Sequence, residues 1–484
     1  MEQKPSPTEL RRTIGKWQLL FYGLGSMLGA GIYTLIDDAA SLMGSAVWAA
    51  FATAMVAALL TGLSYASLGS RYPRAGGAAY VTQHAFKLPV ISYVIGLAVM
   101  MSGLTSMATG TQAIAENAIK GYHLYGTDSD APAIAPTPQA TPAVVVDKAK
   151  TSPWIKPLAI AVVLMIGAVL IKGIRESMIA NIICTVVEAA GLVFIIIVGV
   201  RYWGSVSYFE LPEIPSAGNP GLMLLLLNGA ILTFFSFIGF EDILNVSEEV
   251  IDPAKTVPFG LVGAMIVATI IYMAVAITAV SVIPHARLAA SSTPLMDVAH
   301  AAAPWFTGID VLYIVITIFA VANTALLNYL MGSRLLYGMS RQGLLPRVLG
   351  TVHAHTRTPV IAIVTLFFVV TGLILSGGVR QMAEATVLLL LSVFVVMNAA
   401  LVRLKLRPNE PKGSFEIPIF VPILGALVCA TLVVYRIWPA ITQRTWEKAT
   451  APLIAATIMV VAVVLYYVIA PKKITEEGVI ERDE

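Results

Sequence analysis

Glu188 sits in the middle of the apolar run Thr185-Val-Val-Glu-Ala-Ala-Gly-Leu-Val-Phe194. A lone carboxyl group in such a stretch is costly and marks function by default. It could take up and release a proton, or bind a cation such as sodium or a basic group on a ligand. It could also be a neutral group hydrogen-bonded to a neighbouring helix. Two further stretches carry chemistry in their backbone. One reads Gly23-Leu-Gly-Ser-Met-Leu-Gly-Ala-Gly-Ile32, the other Thr233-Phe-Phe-Ser-Phe-Ile-Gly-Phe-Glu-Asp242. Glycine costs about 1 kcal/mol in a helix interior. Its clustering in apolar runs therefore signals an interrupted helix or a very close helix contact. Gly25 and Gly29 also form the small-xxx-small pair that serves close packing.

An interruption frees backbone groups. A half-helix opening at Gly31 and Ile32 would present unpaired N–H groups, which favour an anion such as a carboxylate. A half-helix ending near Phe235–Phe237 would present free carbonyls, which favour an ammonium. Together they describe a free amino acid or a close relative. Gly29, Ala30 and Gly31 would let the ligand approach the backbone itself.

Other polar residues say less. Glu241 and Asp242 follow the second glycine site. They could pair with Arg12, Arg71 or Arg334 as an inner gate, or join a solvated network. Glu248, Glu249, Asp252 and Lys255 precede Pro258 and read first as loop and cap chemistry and second as part of a gate. Asn323, Thr324, Asn328 and Ser392 could face a ligand or bond between helices. The six histidines show no metal-ligand spacing. Cys184 and Cys429 lie in apolar runs and are expected to pack as small hydrophobes.

The elements that must position these residues follow from composition. The chain has 484 residues, 57% hydrophobic and 12% charged. Soluble domains carry about 25% charge. A soluble single domain, a disordered chain and a nucleic-acid binder are therefore excluded, and a lipid bilayer is the expected partner. Twelve apolar stretches fall at about 17–40, 44–69, 88–118, 153–173, 177–200, 220–247, 258–283, 308–338, 359–377, 382–403, 417–437 and 450–470. Most have the length of a spanning helix, about 20 residues. With both ends inside, 21 of the 31 Lys and Arg fall on the inner side, a bias that supports an even number of spans in this orientation. The Pro/Ala/Thr-rich stretch 119–152 is expected as a mobile outer loop. No signal-peptide cleavage pattern precedes the first span.

The glycine-interrupted stretches are the first and sixth. If spans 1–5 and 6–10 are two halves, each break opens its half. Halves with five helices must be inverted, and matching breaks in inverted halves point to a transporter's site.

Four sequence stretches carry a resemblance. They are Met27-Leu-Gly-Ala-Gly-Ile32, Ser70-Arg-Tyr-Pro-Arg-Ala-Gly-Gly-Ala-Ala-Tyr80, Phe234-Phe-Ser-Phe-Ile-Gly-Phe240 running into Ser247-Glu-Glu-Val-Ile-Asp-Pro253, and Asn328 to Pro346 with Arg334 and Tyr337. The chain resembles the amino acid–polyamine–organocation (APC) superfamily of permeases, nearest its cationic-amino-acid-transporter-like branch. The resemblance implies an all-α integral membrane fold of twelve helices, with five-plus-five inverted repeats of the leucine-transporter type. Residues 17–200 and 201–410 would be the repeats, 411–470 two peripheral helices, and 1–16 and 471–484 cytoplasmic ends. It also implies substrate contacts at Met27, Gly29, Ala30, Gly31 and Ile32 and at Phe235, Ser236, Phe237, Ile238 and Gly239, with Phe235 closing over the substrate. Many proton-coupled relatives carry a lysine where this chain has Glu188.

The expected function is proton-coupled symport of an amino acid, with sodium as the other possible coupling ion and no bound cofactor or metal. Exchange of amino acids or amines without net ion coupling is the alternative, and a non-transporting sensor a third. No nucleotide-binding, hydrolase or metalloprotease motif is present, so an enzyme is not expected.

Overall fold

The computed structural model describes residues 10–125, 152–210, 226, 229–230, 232–291, 293–376, 379–442 and 446–469. The long helices come first from α1 (Lys16–Leu28), α2 (Ala30–Met43), α3 (Val47–Arg71), α4 (Gly77–Phe86), α5 (Pro89–Tyr125), α6 (Ile155–Lys172) and α7 (Ile174–Gly199). A 3-10 turn at Phe235–Phe237 precedes the short α8 (Asp242–Asn245). Then follow α9 (Pro253–Val282), α10 (His285–Ala289), α11 (Pro294–Ala302), α12 (Ile309–Arg341), α13 (Val360–Ser376), α14 (Val379–Leu406), α15 (Phe420–Thr442) and α16 (Trp446–Ile469). Nine helices among the described residues are long and apolar enough to cross a membrane. The protein is a multi-pass helical membrane protein. Of the stretches not among the nine, the first holds the two helices α1 and α2, and part of the sixth lies outside the described residues.

Lipid leaves no water to satisfy backbone groups, so the spans form helices that close their own hydrogen bonds. Burial then sorts them. In α5, 78% of the apolar window is buried within the protein, against 22% in α15 and 17% in α16. So α5 is central, and α15 and α16 are peripheral. The broken pair is wrapped by intact helices: α1 packs against α9 and α7, and α5 runs along α12 and α14.

One boundary differs from expectation. Helix α5 continues to Tyr125, so the start of the stretch expected as a loop is helical. Its remainder, 126–151, lies outside the described residues, as do residues 1–9 and 470–484.

Candidate substrate site

Helix α1 ends at Leu28 and α2 begins at Ala30, with Gly29 between them at φ −38°, ψ −153°. The second half therefore opens at Ala30, one residue earlier than expected, because a single glycine suffices to turn the chain. The other interruption runs from the Phe235–Phe237 turn to α8, through Gly239 at φ +122°. That backbone conformation favours glycine. A Cβ on Gly239 would also lie 2.6 Å from the Ser26 carbonyl oxygen. The two interruptions thus touch back to back.

Side chains join them. Ser26 Oγ donates to Asp242 Oδ2 at 2.9 Å. The Tyr272 hydroxyl on α9 lies 2.5 Å from the Met27 carbonyl and 3.0 Å from the Ser236 carbonyl. It carries one proton for two acceptors, so it holds both broken segments at one point. The Phe237 ring packs edge-on against Tyr272, with centroids 5.5 Å apart.

A cavity of about 100 Å³ opens at this junction. Met27 and Gly29 line it from the first break, and Ile238, Gly239, Glu241 and Asp242 from the second. Helix α5 contributes Ser102 and Ser106, α12 Thr324 and Asn328, and α14 Thr386. The Asn328 amide donates to Ser106 Oγ at 3.4 Å. Ile32, Ser236 and Phe237 are buried beside the junction. Ala30 and Gly31 form the first turn of α2, and Phe235 stands in the 3-10 turn; their side chains lie outside the described residues.

Several expectations need correction. Ser392 does not reach the cavity: its hydroxyl donates to the Leu388 carbonyl of its own helix at 2.8 Å. Asn323 is not in the cavity wall and follows the other of its two expected courses, bonding between helices. It bonds Asn181 Nδ2 at 2.9 Å through its oxygen and Thr185 Oγ1 at 2.9 Å through its nitrogen. Fully buried Glu188 belongs to this second polar cluster, behind α1, with Asn323 as a side-chain neighbour. Gly25 admits the cluster, since a Cβ there would lie 2.2–2.8 Å from Thr185, Asn323 and Asn181. Glu188 therefore stands one helix behind the cavity, not in its wall.

Glu241 and Asp242 do not pair with the expected arginines. Glu241 accepts the Gly239 N–H at 2.8 Å, and Asp242 accepts from Ser26. Arg334 is held instead by both carboxylate oxygens of Glu249, at 2.9 and 3.2 Å. Arg71 is held by Glu416. Glu249 is fully buried, so it is not loop chemistry.

Sequence reasoning did not single out Tyr272, Thr386, Ser102 or the Glu249–Arg334 pair. A tyrosine or serine inside an apolar helix gives no signal of where it points, and a pair 85 residues apart leaves no local pattern.

A multi-pass helical membrane protein with a cavity of mixed apolar and polar lining where two interrupted stretches touch has the architecture of a solute carrier. The chain belongs to the amino acid permease family, which it matches over residues 14–465, within the APC superfamily. It is similar to the methylthioribose transporter of Bacillus subtilis, at 27% identity covering 87% of each chain. The branched-chain amino acid permease BcaP of the same organism is 28% identical over 90% of each chain. The vacuolar cationic amino acid transporter 2 of Arabidopsis thaliana is 28% identical over 83% of this chain and 61% of its own. Amino acid transport, not catalysis, is the function these relationships support.

Proposed function

We propose that the protein is a secondary-active, proton-coupled amino acid symporter of the cell membrane. The observation that carries this reading is the meeting of both helix interruptions at one cavity. The first turn of α2 offers N–H groups at Ala30–Ile32 to the substrate carboxylate. Carbonyls around Phe235–Phe237 take the amino group, and Phe235 closes over it. Glu241 and Asp242 in the wall favour a substrate side chain that is neutral or positive over one that is negative.

The chain is read as twelve spans, two inverted halves of five (17–200 and 201–410) and a peripheral pair (411–470), with both termini cytoplasmic. Rocking of spans 1, 2, 6 and 7 against the rest exposes the cavity to each side in turn. Glu188 takes up the coupling proton. Its place behind α1, against the Asn181–Thr185–Asn323 cluster, suits a group that senses how α1 lies without touching the substrate.

Reconstituted vesicles test the reading. An acid-outside gradient is expected to drive accumulation of labelled amino acid, and Glu188→Gln to abolish that accumulation while sparing exchange against internal substrate. Gradient-driven accumulation left intact in Glu188→Gln would sink the proton role. Wild-type uptake seen only against internal substrate would make the protein an exchanger, and binding without flux a sensor.

A further inference from the structure

The part of the cavity wall outside the two interruptions comes from α5, α12 and α14. It includes the apolar side chains of Val99, Met331 and Leu390, and its polar groups are few. Those groups carry no charge: Ser102 and Ser106 on α5, Thr324 and Asn328 on α12, and Thr386 on α14. A mostly apolar pocket orients its ligand and sets its specificity through the few polar groups it places.

Two of these groups are already engaged. Thr386 Oγ1 lies 2.5 Å from Thr105 Oγ1, which joins α14 to α5. Thr324 Oγ1 donates to the Ala320 carbonyl of its own helix at 3.3 Å. It also stands against the first break, since a Cβ on Gly29 would lie 2.4 Å from it. Asn328 lies about one helical turn further along α12, away from that break. Its amide nitrogen donates to Ser106 Oγ at 3.4 Å. Gly103 leaves room for its oxygen, because a Cβ there would lie 3.0 Å from Asn328 Oδ1. Ser102 and Ser106 share one face of α5, four residues apart. Among the described residues, the Asn328 oxygen accepts no hydrogen bond, the Ser106 hydroxyl donates none and the Ser102 hydroxyl makes none. Two hydroxyl donors and one carboxamide acceptor are therefore free, close together, on the cavity wall.

A purely apolar ligand side chain would strip water from these three groups and leave them unpaired, which weakens binding. A side chain ending in a hydroxyl or a carboxamide carries both a donor and an acceptor and satisfies them. The cavity, at about 100 Å³, suits a short one. Glu241 and Asp242 bring charge from the other side, where they accept the Gly239 N–H and the Ser26 hydroxyl. We infer that the cavity selects amino acids with a short, uncharged, hydrogen-bonding side chain, such as threonine, serine or asparagine, over aliphatic ones of the same shape. Ser102, Ser106 and Asn328 make that choice. The inference rests on the reading of the cavity as an amino acid site and adds the substrate class. It does not depend on the coupling ion.

Calorimetric titration of the full-length protein in detergent tests it. Threonine and valine are the decisive pair, since they differ by a hydroxyl in place of a methyl. Threonine is expected to bind roughly tenfold to a hundredfold more tightly than valine, and asparagine than leucine, the loss that follows from buried groups left unpaired. Ser102→Ala, Ser106→Ala and Asn328→Leu are each expected to narrow the threonine-to-valine ratio, with a melting curve to record that each variant is folded. Valine binding the wild type as tightly as threonine would overturn the substrate class and leave the amino acid site standing. Lysine or ornithine binding more tightly than threonine would also overturn it and transfer the choice to Glu241 and Asp242. A ratio unchanged in all three variants would overturn the assignment to this wall. Binding of none of these amino acids, alanine included, would sink the amino acid reading itself and the inference with it.

Discussion

At the scale of single residues, the site is held by groups that do two things at once. Gly239 adopts a backbone conformation few residues tolerate and also leaves room for the Ser26 carbonyl. Tyr272 presents one hydroxyl to carbonyls of both broken segments. Losing that donor leaves buried acceptors short of a partner, which costs about 1–3 kcal/mol. Tyr272→Phe is therefore expected to lower the melting temperature. It should also weaken substrate binding, because the two segments are no longer held at a fixed separation. Calorimetric binding beside a melting curve checks this. A lower melting temperature with unchanged affinity would confine Tyr272 to stability.

At the scale of elements, the peripheral helices are fastened to the core by the link between α14 and α15. Glu416 in that link accepts Arg71 Nε at 2.8 Å, Lys405 Nζ at 2.7 Å and the Gly413 N–H at 2.9 Å. Partial burial would raise its carboxyl, but the Arg71 and Lys405 hydrogen bonds outweigh burial and hold it at about 2. A carboxyl lowered on folding adds stability above its unfolded value, about 4.3. That contribution fades as pH falls from there toward 2. The melting temperature of wild type should therefore exceed that of Glu416→Gln at pH 6, and the gap should shrink steadily as pH falls from about 4 toward 2. A gap that stays constant with pH would show that the carboxylate charge is not what fastens the link.

The elements also show how much was legible in advance. Apolar length revealed the intact spans, because a bilayer imposes helices of one length. The first glycine cluster falls where α1 ends and α2 begins, because a turn of the chain at one residue is written locally. What a buried side chain faces was not legible. Asn323 and Asn328 lie five positions apart on α12, yet Asn323 joins the Glu188 cluster and Asn328 lines the cavity. The register of α12 against its neighbours decides this, and a single sequence does not carry it. The acidic residues at 241–249 stand out in the sequence, but their partners come from α1, α12, the turn before α4 and the chain before α1.

At the scale of the whole molecule, hydrogen bonds sort the helix ends onto two faces. On one face, Thr13 and Ile14 meet Glu249, Glu248 meets Ala75, Ser414 Oγ donates to the Ala254 carbonyl at 2.5 Å, and Arg71 meets Glu416. On the other, the Trp48 indole donates to the Tyr208 carbonyl at 2.9 Å, Arg201 reaches the Ala302 carbonyl at 2.6 Å, and Lys156 reaches the Leu375 carbonyl at 3.1 Å. The first face collects most of the basic loop residues, among them Arg11, Arg12, Arg74, Lys405, Arg407 and Lys412. Basic residues near short loops stay on the cytoplasmic side, so that face should lie inward. Cysteines replacing exposed Arg11 and Lys412 should react with an impermeant maleimide only in inverted vesicles. Those replacing exposed Trp154 and Arg287 should react in intact cells. Labelling of Arg11 and Lys412 positions from opposite sides would contradict the two-face arrangement itself. Labelling of all four from the reverse sides would keep the fold and invert its orientation in the membrane.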